Sequence, residues 1–145
     1  MAACVLAVVA LAACGSDSSA PSGGGGGTVA VTLQEFAITA VPATVAAGSV
    51  TFEATNNGPD DIHEMVVIKT DLDPTALPTN DDGSVDEAGE GVEAIDEIAE
   101  FDPGNTESLT LDLEAGAYVL ICNIYDADEV EAHYQEGMRL AFTVT

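Results

Sequence analysis

The chain contains two histidines, His63 and His133, and only one cysteine beyond its first fourteen residues, Cys122. His133 follows Cys122 by eleven positions and Met138 follows His133 by five. A thiolate and two imidazoles make a trigonal donor set, and a thioether adds a weak axial contact. Soft sulfur holds Cu(I) and imidazole suits Cu(II), so one site tolerable to both states can exchange an electron with little rearrangement. His63, Cys122, His133 and Met138 are therefore the candidate ligands, and one copper ion per chain is the cofactor they imply. Each also has a plainer reading. Met138 heads an apolar stripe, Cys122 could be a small buried hydrophobe, and each histidine could be a hydrogen-bonded or solvated residue at a strand end or in a loop.

Placement on elements separates these readings. Val29, Val31 and Leu33 alternate with small or polar residues, and Phe36 and Ile38 resume after a slip that suggests a β-bulge. Val50, Phe52 and Ala54 alternate up to the turn Asn56-Asn57-Gly58-Pro59. Residues 62–68 are apolar on both faces apart from His63 and Glu64, as a central strand requires. Leu109, Leu111 and Leu113 form another alternating strand, residues 117–124 a strongly apolar one, and Met138, Leu140, Phe142 and Val144 a last one. Six or seven short strands with Gly, Pro and Asn turns predict an all-β antiparallel sandwich. Cys122 ends one strand and Met138 begins the next, which brings them together in an antiparallel pair. Residues 71–91 read as an acidic surface excursion. The three-residue spacing of Val92, Ile95 and Ile98 suggests a short helix.

His63-Glu64-Met65-Val66-Val67, Tyr118-Val119-Leu120-Ile121-Cys122 and His133-Tyr134-Gln135-Glu136-Gly137-Met138 together resemble the cupredoxins, the family of plastocyanin, azurin and halocyanin. The likeness covers residues 29–145, with the acidic excursion as an insertion. It implies a Greek-key β-sandwich, a mononuclear type 1 (blue-copper) site and one-electron transfer without bond-making catalysis. There is one departure. Ten residues separate Cys122 from His133 here, including Asp126, Asp128, Glu129 and Glu131, where the family places only a few.

Composition bounds the partners. There are 26 acidic residues against Lys69 and Arg139, a formal charge of −24. Such a surface repels nucleic acid and offers no polybasic route to anionic lipid, but it could steer a basic redox protein. A monomer is expected. Residues 1–13 read as a signal peptide, and Leu11-Ala12-Ala13-Cys14 resembles the lipobox of prokaryotic lipoproteins, although no Lys or Arg precedes the apolar run. That resemblance implies lipid attachment at Cys14 and an extracytoplasmic, membrane-anchored protein. Residues 14–27 then form a Gly/Ser tether to a domain spanning 28–145. Cys122 is left as a lone thiol in an oxidising compartment, which calls for burial or metal ligation. The leading expectation is an electron-transfer module. The alternatives are copper storage or delivery, with Met65 as an extra thioether, and a metal-free sandwich used in adhesion or assembly. No nucleophile motif, phosphate loop or paired acid/base signature points to an enzyme.

Overall fold

The computed structural model describes residues 25–145; the signal segment, Cys14 and most of the tether lie outside them. The elements are β1 (Gly26–Gln34), β2 (Ala37–Val41), β3 (Thr44–Val45), β4 (Gly48–Asn56), β5 (His63–Lys69), β6 (Glu93–Phe101), β7 (Thr106–Leu113), β8 (Gly116–Ile121), β9 (Tyr125–Asp126), β10 (Glu131–Ala132), α1 (His133–Glu136) and β11 (Arg139–Val144). One sheet has the order β2-β1-β4-β7 and the other β3-β11-β8-β5-β6, while β9 and β10 form a separate two-stranded ribbon. No helix among the described residues is long and apolar enough to cross a membrane.

The alternating residues face inward as expected. Val29, Val31, Leu33, Val50, Phe52 and Ala54 from the first sheet meet Met65, Val67, Tyr118, Leu120, Phe142 and Val144 from the second in one core. Phe52 and Phe142 bridge the sheets edge to face, ring centres 5.5 Å apart, a geometry that adds about 1 kcal/mol beyond area burial. The β-sandwich is therefore as expected, but its sheets are mixed rather than antiparallel. β1 runs parallel to β4, and β3 parallel to β11. Alternation reports which face of a strand is buried, not the direction of its neighbour.

Three local expectations change. The slip after Leu33 is a turn, not a bulge: Gln34 pairs with Ala37, and Glu35 and Phe36 connect β1 to β2. The helix expected around Val92, Ile95 and Ile98 is strand β6. Phe101 pairs with His63 and Ile98 with Met65, so three residues of β6 oppose two of β5, and a second register shift follows at Val67/Ile68. Two bulges thus put Ile95, Ile98 and Phe101 on the main core at three-residue spacing, while Val92, just before β6, packs on a second core, and the run imitates a helix. The short helix of the domain is α1 instead. Lastly, Gly26 and Gly27, assigned to the tether by composition, already pair with Ser49 and Val50. Gly26 has φ 108°, and a Cβ there would collide with the Ser49 backbone, so this stretch requires glycine.

The acidic excursion is more than a solvated loop. Leu77 and Val85 are buried with Val66, Ile68, Val119, Ile121 and Tyr134 in a second core on the outer face of β5 and β8. The Tyr134 hydroxyl donates to Pro74 O at 2.8 Å and accepts from Leu77 N at 3.1 Å. The Asn123 side chain accepts from Val85 N at 2.6 Å and donates to Val85 O at 3.1 Å. This second core is why β5 is apolar on both faces.

The β4–β5 connection, which delivers His63, is held by Asn56. Its buried amide donates to Asp61 O (2.9 Å) and Phe101 O (3.1 Å) and accepts from Gly58 N (2.9 Å). Asn56→Ala leaves these backbone groups without partners. It is expected to lower the unfolding free energy by about 3 kcal/mol, read as a drop in the denaturation midpoint with an unchanged slope.

Candidate metal centre

The site forms where three strands end on the same edge of the second sheet. β8 lies between β5 and β11 and runs antiparallel to both. Its last residue, Ile121, therefore sits between Val66, midway along β5, and Arg139, the first residue of β11. Cys122 follows β8, His63 opens β5 and Met138 precedes β11. Cys122 N–H donates to Met138 O at 3.1 Å, so the two sulfur residues are joined through the backbone. The antiparallel placement expected from the strand order holds.

The long Cys122–His133 connection returns to the site by folding on itself. β9 and β10 pair as Asp126↔Glu131 and Tyr125↔Ala132. Asp126 caps the turn by accepting from the N–H groups of Asp128 (2.7 Å) and Glu129 (3.1 Å). His133 N–H then donates to Ile124 O at 3.0 Å, which sets the start of α1 beside the end of β8. The inserted residues thus form a ribbon standing beside the site without displacing His133. After one turn of helix Gly137 adopts φ 133°, and Met138 N–H donates to His133 O at 3.0 Å. A Cβ on Gly137 would stand 2.9 Å from Phe36 O, so the glycine before the methionine is sterically required.

These constraints bring the donors together. Both imidazoles turn the same nitrogen inward. His133 Nδ1 lies 3.4 Å from Cys122 Sγ, His63 Nδ1 lies 3.9 Å from it, and the two nitrogens are 3.3 Å apart. His63, Cys122 and Met138 are fully buried, and His133 is 3% exposed. A trigonal site with bonds of about 2.0 Å to nitrogen and about 2.3 Å to sulfur would have donor triangle edges of about 3.5 Å and about 3.7 Å. The observed triangle has that size. His63, Cys122 and His133 can hold a metal ion, and the buried Met138 side chain belongs to the same core cluster as Cys122.

Burial favours the neutral forms of Cys122 and His63. It pushes the Cys122 thiol up to about 12, only partly opposed by N–H groups such as that of Glu64, 3.4 Å from the sulfur. Burial first, then the neighbouring His133, hold His63 below the usual imidazole range. Glu64, next to His63, is raised to about 7 by desolvation, although it accepts Asn123 N–H at 3.0 Å. His133 also faces a cleft of about 420 Å³ bordered by Asp60, Asp61, Glu100 and Asp126. Asp61 and Glu131 bring carboxylate oxygens within 4.8 Å of each other and of a His133 ring nitrogen.

Sequence reasoning missed two neighbours of the site, both in the β1–β2 turn. Glu35 Oε1 lies 3.9 Å from His63 Nε2, and the Phe36 ring packs edge-on against His133 with centres 5.3 Å apart. The only trace of them in the sequence was the break in alternation after Leu33. Three acids of the excursion, Asp82, Asp86 and Glu87, accept hydrogen bonds within it or from the neighbouring Asn123. Asp82 accepts from Ser84, Asp86 from Ala88 N, and Glu87 from the Asn123 amide.

A metal taken up here must displace the thiol proton, because only the thiolate coordinates. Uptake is expected to release one proton per metal ion at neutral pH, and affinity to rise about tenfold per pH unit between about pH 7 and 9. Metal titration in weakly buffered solution with a pH indicator reads this directly, and Cys122→Ser should remove the proton release.

No protein-family model and no curated protein matches the chain, but solved structures do. Dithionite-reduced auracyanin from Roseiflexus castenholzii is 22% identical and superposes with a TM-score of 0.56 over 83% of this chain and 96% of its own. An azurin from Methylomonas sp. strain J is 14% identical with a TM-score of 0.55, covering 81% of this chain and 97% of its own. Auracyanin A, a blue copper protein from Chloroflexus aurantiacus, is 18% identical with a TM-score of 0.52, covering 83% of this chain and 100% of its own. Each of these likenesses covers more than four fifths of the chain, and the domain accordingly has the cupredoxin fold.

Proposed function

We propose that this protein is a one-electron carrier that holds a single copper ion through His63, Cys122, His133 and Met138. The observation that carries this reading is the donor triangle, with edges of 3.3, 3.4 and 3.9 Å, in a core that excludes water. Its thiolate and imidazoles suit both oxidation states of copper. The likeness to auracyanin A, a blue copper protein, supports the same assignment.

Copper bound there supplies reversible one-electron chemistry between Cu(I) and Cu(II). The chain's own residues keep the surroundings constant while the charge changes. Cys122 is fixed by its bond to Met138 O and by Glu64 N–H on its sulfur. His133 is fixed by Ile124 O and by the Phe36 ring. Donors held this way need little movement when an electron arrives or leaves. A site meant to hand copper on would instead need an open, yielding ligand set, so burial favours transfer over delivery. No bond-making step is assigned to the protein. The acidic cleft at His133 is the natural approach for a basic redox partner, whose association would weaken with salt.

Lipid attachment at Cys14 belongs to the same proposal. It rests on Leu11-Ala12-Ala13-Cys14 and the glycine run after it. The anchor would hold an extracytoplasmic domain just off the membrane.

Two experiments test these readings. Copper titration should give an intense thiolate-to-Cu(II) band that saturates at one equivalent and is absent in Cys122→Ser. A colourless protein whose weak binding ignores the mutation would favour the metal-free reading. For the anchor, cells expressing the full chain should incorporate labelled fatty acid and retain the protein in membranes, and Cys14→Ala should abolish both.

A further inference from the structure

Among the described residues, two buried side-chain atoms have no hydrogen-bond partner: His63 Nε2 and Glu35 Oε2. They belong to side chains that face each other, with Glu35 Oε1 3.9 Å from His63 Nε2. Leaving either atom unsatisfied in the interior costs about 1–3 kcal/mol, and a small approach of the two side chains across the 3.9 Å gap would give both of them a partner.

The surroundings are built for a carboxylate. Glu35 Oε1 accepts Asp61 N–H at 2.7 Å, which ties the β1–β2 turn to the loop that leads into His63. Gly58 gives the carboxylate its room, since a Cβ there would stand 2.6 and 2.7 Å from the two oxygens. Gly58 N–H is in turn held by the buried Asn56 amide. The Glu35 side chain is 14% exposed, so water competes poorly for it.

We infer that Glu35 is the outer partner of His63: its carboxylate accepts the His63 Nε2–H, keeps the proton on that nitrogen and leaves Nδ1 free for the metal. This rests on the copper reading for its redox consequence but not for its geometry. A histidine bound to metal commonly donates its other N–H to a carboxylate or carbonyl, which orients the ring and raises its basicity. The same proton position accounts for the contact between the two Nδ1 atoms, where His133 would then donate to His63 before metal enters. Glu35 is thus a positioning residue. Its negative charge beside a ligand ring favours the more positive oxidised metal and lowers the reduction potential.

Glu35→Gln keeps the size and the acceptor for Asp61 N–H but removes the charge. In the full chain loaded with copper, this variant should still bind one equivalent and keep its charge-transfer band, with the reduction potential shifted upward. A potential unchanged from wild type would overturn the inference. Nitrogen-15 NMR of His63 in wild-type protein, metal-free and Cu(I)-loaded, gives a readout independent of whether the variant folds. A protonated Nε2 with a downfield proton is expected in both forms, and a proton on Nδ1 in the metal-free form would overturn it. If copper does not bind at all, the electron-carrier reading fails, while the metal-free spectrum still decides the role of Glu35.

Discussion

Everything in this domain depends on keeping three donor atoms crowded together inside a dry core. Burial raises the thiol to about 12 and disfavours charge on His63. The chain therefore imposes the cluster through its backbone. β8 is hydrogen-bonded on both sides, to β5 and to β11, so the ends of three strands cannot drift apart without breaking ladder bonds. His133 comes from outside the sheet and is brought in by its bond to Ile124 O.

The supports around it come from distant parts of the chain. The β1–β2 turn belongs to the opposite sheet, yet it places Glu35 against His63 and Phe36 against His133. Two glycines make that approach possible, Gly58 under the Glu35 carboxylate and Gly137 under the Phe36 carbonyl. On the other side, the acidic excursion buries Leu77 and Val85 and bonds to the Tyr134 hydroxyl. The short helix α1 is consequently held from both sides, with His133 in the site and Tyr134 in the second core. Arg139 stacks on the Tyr134 ring, 5.2 Å from its centre, and donates to Tyr134 O, which adds a further tie.

The strong negative charge is distributed to purpose in only some places. Lys69 pairs with Glu114 at 3.0 Å on an exposed edge, a contact of small energetic consequence. Asp73, Asp82 and Asp126 spend their carboxylates on turns. The acids around the cleft at His133 are different, because they set the local field where the buried site comes nearest to solvent. A field of that sign favours cations on approach and stabilises a more positive centre.

Much of this was legible from residue types and spacing. His63, Cys122, His133 and Met138 stood out because few chemistries use two imidazoles, a thiol and a thioether in that order, and the alternation of β1, β4, β7 and β11 together with the apolar runs of β5 and β8 reported the sandwich. Strand β6 was misread because bulges reset its period to three, and the excursion because Leu77 and Val85 are isolated apolar residues among acids. Glu35 and Phe36 left only a break in a pattern. By itself, then, the sequence determined which residues are candidate donors and which face of the alternating strands turns inward, since these follow from local periodicity and side-chain chemistry. Only the tertiary structure decided which strands run parallel, how the ten-residue connection returns His133, and that a turn from the opposite sheet closes over both histidines. Those are contacts between segments far apart in the chain, and packing two sheets together selects them where no local preference can.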